Sequence, residues 1–129
     1  MLRAEKAGIK SPKALAFRNN IIVEEFIGNE DPAPALKDAH PNNPQKFFRE
    51  IISQMKKLYQ EGLIHGDLSS FNILNYKDKP YFIDFSQATL VRTPNSEELL
   101  ERDVRNILSF FKKFGLNEDI SKTIQKIKK

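Results

Sequence analysis

The chain is predicted to adopt an α+β fold, mainly helical with small β-hairpins, and two observations predict it. Apolar residues recur at spacings of three and four over 44–61 and again over 96–114, the period of helices with one buried face. Short apolar runs at 14–17, 21–26, 73–76 and 81–84 are separated by polar, turn-forming residues, the pattern of hairpins. At 129 residues the chain is long enough to bury one substantial core.

Taken in order, residues 2–7 have helix-forming composition, with Gly8 as a stop. Pro12 opens an extended stretch, and Arg18-Asn19-Asn20 joins two apolar runs into a first hairpin. Residues 28–34 are turn-rich, because Asp31-Pro32 and Ala33-Pro34 resist regular structure. The first strong helix, over 44–61, aligns Phe47, Phe48, Ile51, Ile52, Met55, Leu58 and Tyr59 in a stripe expected to be core. Pro44 suits its first turn and Gly62 the position just past its end. Leu63-Ile64 leads into a polar loop, and a second hairpin follows around a Lys77-Asp78-Lys79-Pro80 turn. Ser96 is expected to cap a second helix, with Glu97 and Glu98 in its first turn. That helix would bury Leu99, Leu100, Val104, Ile107, Leu108, Phe111 and Phe114 and end at Gly115. A last short helix over 117–127 presents Ile120, Ile124 and Ile127 on one side.

Composition excludes several classes. Without cysteine there are no disulfides and no thiolate metal sites. No apolar run approaches the roughly 20 residues of a membrane-spanning helix. Met1-Leu2-Arg3-Ala4-Glu5-Lys6 lacks the apolar stretch of a signal peptide, so a cytoplasmic protein with no membrane partner is expected. The net charge of +4 owes much to Lys122, Lys126, Lys128 and Lys129, which read as a solvated helix end or as a weak attraction for phosphate backbones.

The chemistry-bearing stretch is His65-Gly66-Asp67-Leu68-Ser69-Ser70-Phe71-Asn72, followed across the hairpin by Ile83-Asp84-Phe85. Phosphoryl transfer from ATP needs a carboxylate near the acceptor hydroxyl and oxygen ligands for Mg²⁺, typically one or two carboxylates plus the phosphates. Asp67 and Asn72 lie five positions apart on one loop, and Asp84 ends a strand, so the three groups can converge from the two sides of one hairpin. A lone Asp or Asn in a turn usually bonds its own backbone. The combined pattern is long enough to point instead to catalysis. His65 is expected to fix the loop by bonding the backbone around Asp84 rather than to shuttle protons, and Ser69 to cap the loop rather than to hold phosphate.

At these residues the chain resembles the RIO family of atypical protein kinases. Similar segments are Ile22-Val23-Glu24-Glu25-Phe26-Ile27-Gly28 with Pro32-Ala33-Pro34-Ala35-Leu36-Lys37-Asp38, Leu58-Tyr59-Gln60-Glu61-Gly62-Leu63-Ile64 running into the loop, Lys79-Pro80-Tyr81-Phe82-Ile83-Asp84-Phe85-Ser86-Gln87-Ala88, and Glu101-Arg102-Asp103-Val104-Arg105-Asn106-Ile107. The resemblance implies a kinase-like C-terminal lobe over 29–129, preceded over 1–28 by the remnant of an N-terminal lobe running up to a hinge. It further implies Asp67 as the catalytic aspartate, with Asn72 and Asp84 as ligands for Mg²⁺ or Mn²⁺. ATP would be the co-substrate, its adenine held by backbone groups of Glu25 and Ile27 over an apolar floor of Leu74 and Ile83. The counterpart of Asp84 in this family also accepts phosphate transiently, which allows an ATPase-like cycle. Asp103 either receives hydrogen bonds from the catalytic loop or is an exposed helix charge. Gly66 stands where typical protein kinases carry arginine, which removes their usual link to a phosphorylated activation loop.

The implied activity is serine/threonine phosphorylation of a protein substrate, or of the chain itself. The implied partner is the pre-small ribosomal subunit. Only 64 residues precede His65, and they contain neither a glycine-rich loop nor an identifiable strand lysine. The chain is therefore expected to be a cut piece, a truncated gene product or half of a split protein, inactive alone or completed by an upstream lobe in trans. Two other readings stand beside it: a non-catalytic remnant that docks a partner, and a small-molecule phosphotransferase. Aminoglycoside kinases and the small kinase associated with tRNA threonylcarbamoylation have a similar His-Gly-Asp-Leu loop ending in Asn. The Pro-Ala-Pro-Ala-Leu-Lys-Asp and Glu-Arg-Asp-Val-Arg-Asn-Ile segments favour the RIO family over both.

Overall fold

The computed structural model describes residues 33–129 and, before them, the strands β1 (Ala14–Arg18) and β2 (Ile21–Glu24). These two strands pair antiparallel, with a register shift between Ala14 and Ala16, and match the first expected hairpin. The expected helix over 2–7 and its stop at Gly8 lie outside the described residues.

Helix α1 (Pro44–Gln60) begins where proline's missing N–H costs nothing. Asn43 caps it, its side-chain oxygen accepting from Lys46 N at 3.1 Å. Phe47, Phe48, Ile51, Ile52, Met55 and Leu58 are buried along the expected stripe, and Tyr59 is half-buried. Gly62, at φ +83°, turns the chain out of the helix. Strand β3 (Leu63–Ile64) then pairs antiparallel with a distant partner, β6 (Thr89–Leu90). Two residues are too few for any alternation to show, so this clasp has no signature in the residue pattern. Val91 N donates to Gly62 O at 2.8 Å and extends it.

Strands β4 (Ile73–Tyr76) and β5 (Lys79–Phe82) form the second hairpin. The expected four-residue turn is in fact two residues, Lys77 and Asp78, both with positive φ of 54° and 63°. That geometry matches the right-handed twist of a tight hairpin. Pro80 fits inside β5 because it faces Asn75 at a position whose N–H points out of the hairpin; Asn75 N bonds Pro34 O at 2.9 Å on the other side. The stretch expected to be turn-rich therefore ends as a sheet edge. Leu36 N donates to Ile73 O at 2.7 Å, and Ala35 bridges Leu74.

Helix α2 (Ser96–Lys112) corrects the expected cap. Ser96 is its first residue and Asn95 stands at the cap without a side-chain bond, while Ser96 Oγ donates to Val91 O at 2.5 Å. The hydroxyl thus ties the helix to the strand clasp rather than to its own first turn. Leu100, Val104, Ile107 and Phe111 are buried, and Gly115 has φ +83°. Helix α3 (Ile120–Lys128) starts later than expected, because Asp119 caps it by accepting from Lys122 N at 2.9 Å. The three described helices, strand β3 and the β4–β5 hairpin close on one core, in which Phe111 meets Phe48 edge-on at 5.5 Å and Phe47 at 6.2 Å. Each fully buried side chain of this size contributes about 1.5–3 kcal/mol.

Asp78 also links hairpin and helix: its carboxylate accepts from Asn42 N at 2.7 Å and Asn43 N at 3.2 Å, at the entrance to α1. Asp78→Ala should lower stability by about 1–2 kcal/mol, read from the urea unfolding midpoint, since two backbone donors lose a charged acceptor.

Candidate active site

The loop over 65–72 runs from β3 to β4 across the buried face of α2. Backbone polar groups placed there need partners. One turn of α2 supplies four. Asp103 accepts from Gly66 N and from Leu68 N, each at 2.9 Å, one per carboxylate oxygen. Arg102 donates a guanidinium N–H to Gly66 O, and Asn106 Nδ2 donates to Leu68 O at 3.2 Å. Residues 66 and 68 are held through both backbone groups. The residue between them, Asp67, is left exposed. Leu68 is fully buried and anchors the loop in the core.

Asp103 is therefore not an exposed helix charge. Burial pushes its carboxyl above the usual carboxylate range, against the pull of the two N–H donors. With a folded value above the unfolded one, its stabilising contribution is fully present below the unfolded value and is lost as pH rises through the folded one.

Gly66, at φ +87°, is the one residue type this path allows. A Cβ there would lie 2.3 Å from the backbone oxygen of Gln87. His65 is buried and links the two sides: Asp67 N donates to its Nδ1 at 3.2 Å, so its Nε2 carries the proton and donates to Ile83 O at 2.8 Å. Ser69 Oγ accepts from Phe71 N at 3.1 Å, as a loop cap does.

Asn72 Nδ2 donates to the backbone oxygen of Asp67 at 2.7 Å and lies 3.4 Å from its carboxylate. A backbone carbonyl only accepts, so the amide nitrogen faces Asp67 and Oδ1 is left as a donor atom for a cation. Asn72 O accepts from Ile83 N at 3.0 Å, which extends the hairpin ladder to the residue before Asp84. Strand alternation then sets Asn72, Leu74 and Ile83 on one face of the hairpin, with Leu74 and Ile83 half-buried. Glu25 and Ile27 lie outside the described residues.

Asp84 is exposed and left-handed, at φ 57° and ψ 74°, a conformation costly for a residue with a side chain. It opens a single 3₁₀ turn, Phe85–Gln87, and its Oδ1 accepts from Ser86 Oγ at 2.6 Å and Ser86 N at 3.3 Å. The Ser86 hydroxyl holds the Asp84 carboxyl below its ordinary 3.8. Asn72 Oδ1 and the Asp84 carboxylate are both hard oxygens, the donor chemistry that Mg²⁺ takes alongside phosphates and water. Among the described residues no cluster of three or more His, Cys, Asp or Glu side chains forms a closed metal cage.

Two loop-holding residues escaped the sequence reading: Arg102 and Asn106. Their signal was present, since positions one before and three after Asp103 lie within one turn of it.

A family model described as RIO domain matches residues 1–125. The RIO-type serine/threonine-protein kinase Rio1 of Methanocaldococcus jannaschii is 46% identical over 87% of this chain and 39% of its own length. That of Haloferax volcanii is 38% identical over 91% and 41%, and that of Thermoplasma acidophilum 37% identical over 100% and 68%. The chain thus spans about two fifths of the first two relatives. Among solved structures, the Rio2 kinase–ADP/Mg²⁺–phosphoaspartate complex from Chaetomium thermophilum superposes with a TM-score of 0.77 at 25% identity, over 99% of this chain and 42% of that one.

Two measurements check the site's physics. Ser86→Ala should raise the Asp84 pKa, followed by NMR titration of its carboxyl carbon. Because a lowered folded value gives stability present above the unfolded pKa and lost as pH falls through the folded one, the variant should lose that contribution at higher pH. Asp103→Asn should cost about 1–3 kcal/mol, because an amide turns an N–H toward one of the two loop donors, and hydrogen exchange at Gly66 and Leu68 should speed up.

Proposed function

The chain belongs to the RIO domain family, and from that premise we propose that its 65–72 loop and Asp84 carry Mg²⁺-dependent transfer of the ATP γ-phosphoryl group to a serine or threonine hydroxyl. The observation that carries the reading is the double role of Asn72. Its side chain holds the exposed Asp67, and its backbone oxygen holds the residue that presents Asp84.

In this reading Asp67 receives the acceptor hydroxyl, orients it and takes its proton as the new P–O bond forms, while the γ-phosphorus bond to the β,γ-bridging oxygen breaks and ADP leaves. The α2 grip on residues 66 and 68 fixes Asp67 before substrate arrives, so little ordering remains to be done at the moment of reaction. Asn72 Oδ1 and Asp84 would hold Mg²⁺ (or Mn²⁺), which when bound neutralises charge on the triphosphate. Leu74 and Ile83 would underlie the adenine, with backbone groups of Glu25 and Ile27 at its edge. The solved Rio2 complex carries a phosphoaspartate. Carried to this chain, that proposes Asp84 as a transient acceptor, and the depressed pKa that keeps it ionised supports the role.

The division into 1–28 as the end of an N-terminal lobe and 29–129 as the catalytic lobe is part of the proposal, supported by relatives more than twice this length. That lobe, in cis or in trans, would complete the ATP site. A pre-small-ribosomal-subunit partner in the cytoplasm is likewise proposed, with the net charge of +4 as its support.

In a chain joined to an upstream RIO lobe, Asp67→Asn should cut phosphotransfer from radiolabelled ATP by about a hundredfold or more while leaving the unfolding midpoint in place. Asp84→Ala should abolish Mg²⁺-dependent ATP binding by calorimetry. No Mg²⁺-dependent binding by the parent, with the variant behaving the same, would instead favour a non-catalytic docking module.

A further inference from the structure

A groove of about 540 Å³ lies between α1 and α3, with no lining residue from the 63–90 region that builds the candidate active site. Its base is apolar: Phe48 and Ile52 are nearly closed off, and Leu116 is half-buried. Its sides carry four cationic side chains and one carboxylate, Glu118. Arg49 and Lys56 come from α1, and Lys126 and Lys129 from α3 and its end. Among the described residues no acidic side chain pairs with Arg49, Lys56 or Lys129, and Lys126 reaches Glu118 only at 4.0 Å. Like charges gathered over an apolar floor repel one another, and the arrangement gains from a ligand that brings carboxylates and an apolar group together.

We propose that this groove docks an acidic peptide segment of a partner protein, with an apolar anchor flanked by carboxylates. Volume, charge and surface all bear on the occupant. The volume falls within the range of pockets that enclose a drug-sized ligand, which is room for a short peptide's anchor. Arg49 and Lys56 stand seven residues apart on α1, roughly 10 Å along its axis. An extended peptide covers that distance in about three residues, which places its carboxylates at i and i+3 with the anchor between them. The aliphatic stems of Arg49 and Lys56 add apolar walls. Single-stranded nucleic acid is the other polyanion to weigh, but it binds through exposed rings on which bases stack. The one aromatic side chain lining the groove, Phe48, is only 6% exposed. The chemistry favours carboxylates over bases.

The test uses the full chain and a fluorescein-labelled twelve-residue peptide in which Asp and Glu flank Leu and Phe. Fluorescence anisotropy should give saturable binding that weakens with added salt. The double charge reversal Arg49→Glu/Lys56→Glu should weaken it about tenfold or more, because each reversal turns an attraction into a repulsion. Arg49 is exposed and Lys56 half-buried, neither in the core, and circular dichroism should show the helix content and unfolding midpoint preserved. Absence of binding at about millimolar peptide, or an affinity unmoved by the double reversal, overturns the proposal. A single-stranded RNA oligomer that binds more tightly than the peptide, and is released by the same reversal, overturns it in favour of RNA.

Discussion

The site rests on one carboxylate. Asp103 accepts two backbone N–H groups of the 65–72 loop, and without it neither Gly66 nor Leu68 would have an acceptor beneath α2. Burying an ionisable group is costly, and the raised carboxyl pKa registers that cost. The return is geometric. With Arg102 and Asn106 holding the matching carbonyls, the loop is fixed at two alternate residues, and Asp67 is carried between them on a path that sterics alone would not select. The exposed carboxylate is placed by a buried one.

The second half of the site is placed by ladder bonds and strain. The β4–β5 hairpin continues one pair beyond its strands, through Asn72 and Ile83, and His65 takes the Ile83 carbonyl from the other side. Asp84 follows in a left-handed conformation that its side chain makes unfavourable, held by Ser86 and by the 3₁₀ turn it opens. The β3–β6 clasp closes the ends of both segments. Loop and turn therefore share a floor, and Asn72 is bonded into both.

Much of this was legible in the chain. The α1 and α2 stripes were clear because seven apolar residues at helical spacing leave little alternative, and His65, Asp67, Asn72 and Asp84 stood out by pattern. The expectation that His65 braces the backbone beside Asp84 agrees with the bond to Ile83 O. What could not be read depended on long-range pairing. The β3–β6 clasp is two residues against two, twenty-five positions apart, and has no period to detect. The choice between buried and exposed for Asp103 turned on which way α2 faces the loop, and Arg102 and Asn106 became meaningful only with that orientation. Ser96 has a capper's chemistry, yet its hydroxyl found a better acceptor in Val91 O. Lys77-Asp78 turned more tightly than expected because Pro80, a usual breaker, fell on a hairpin position that demands no N–H.

The close approach at Gly66 has an evolutionary corollary. The atom that forbids a side chain there is a main-chain oxygen of Gln87, which every amino acid at position 87 would retain. No compensating substitution at that neighbour can make room, so the position is closed to drift through paired point changes. Lineages could escape glycine at 66 only by inserting or deleting residues around 85–87, and such a change would move Asp84 with it.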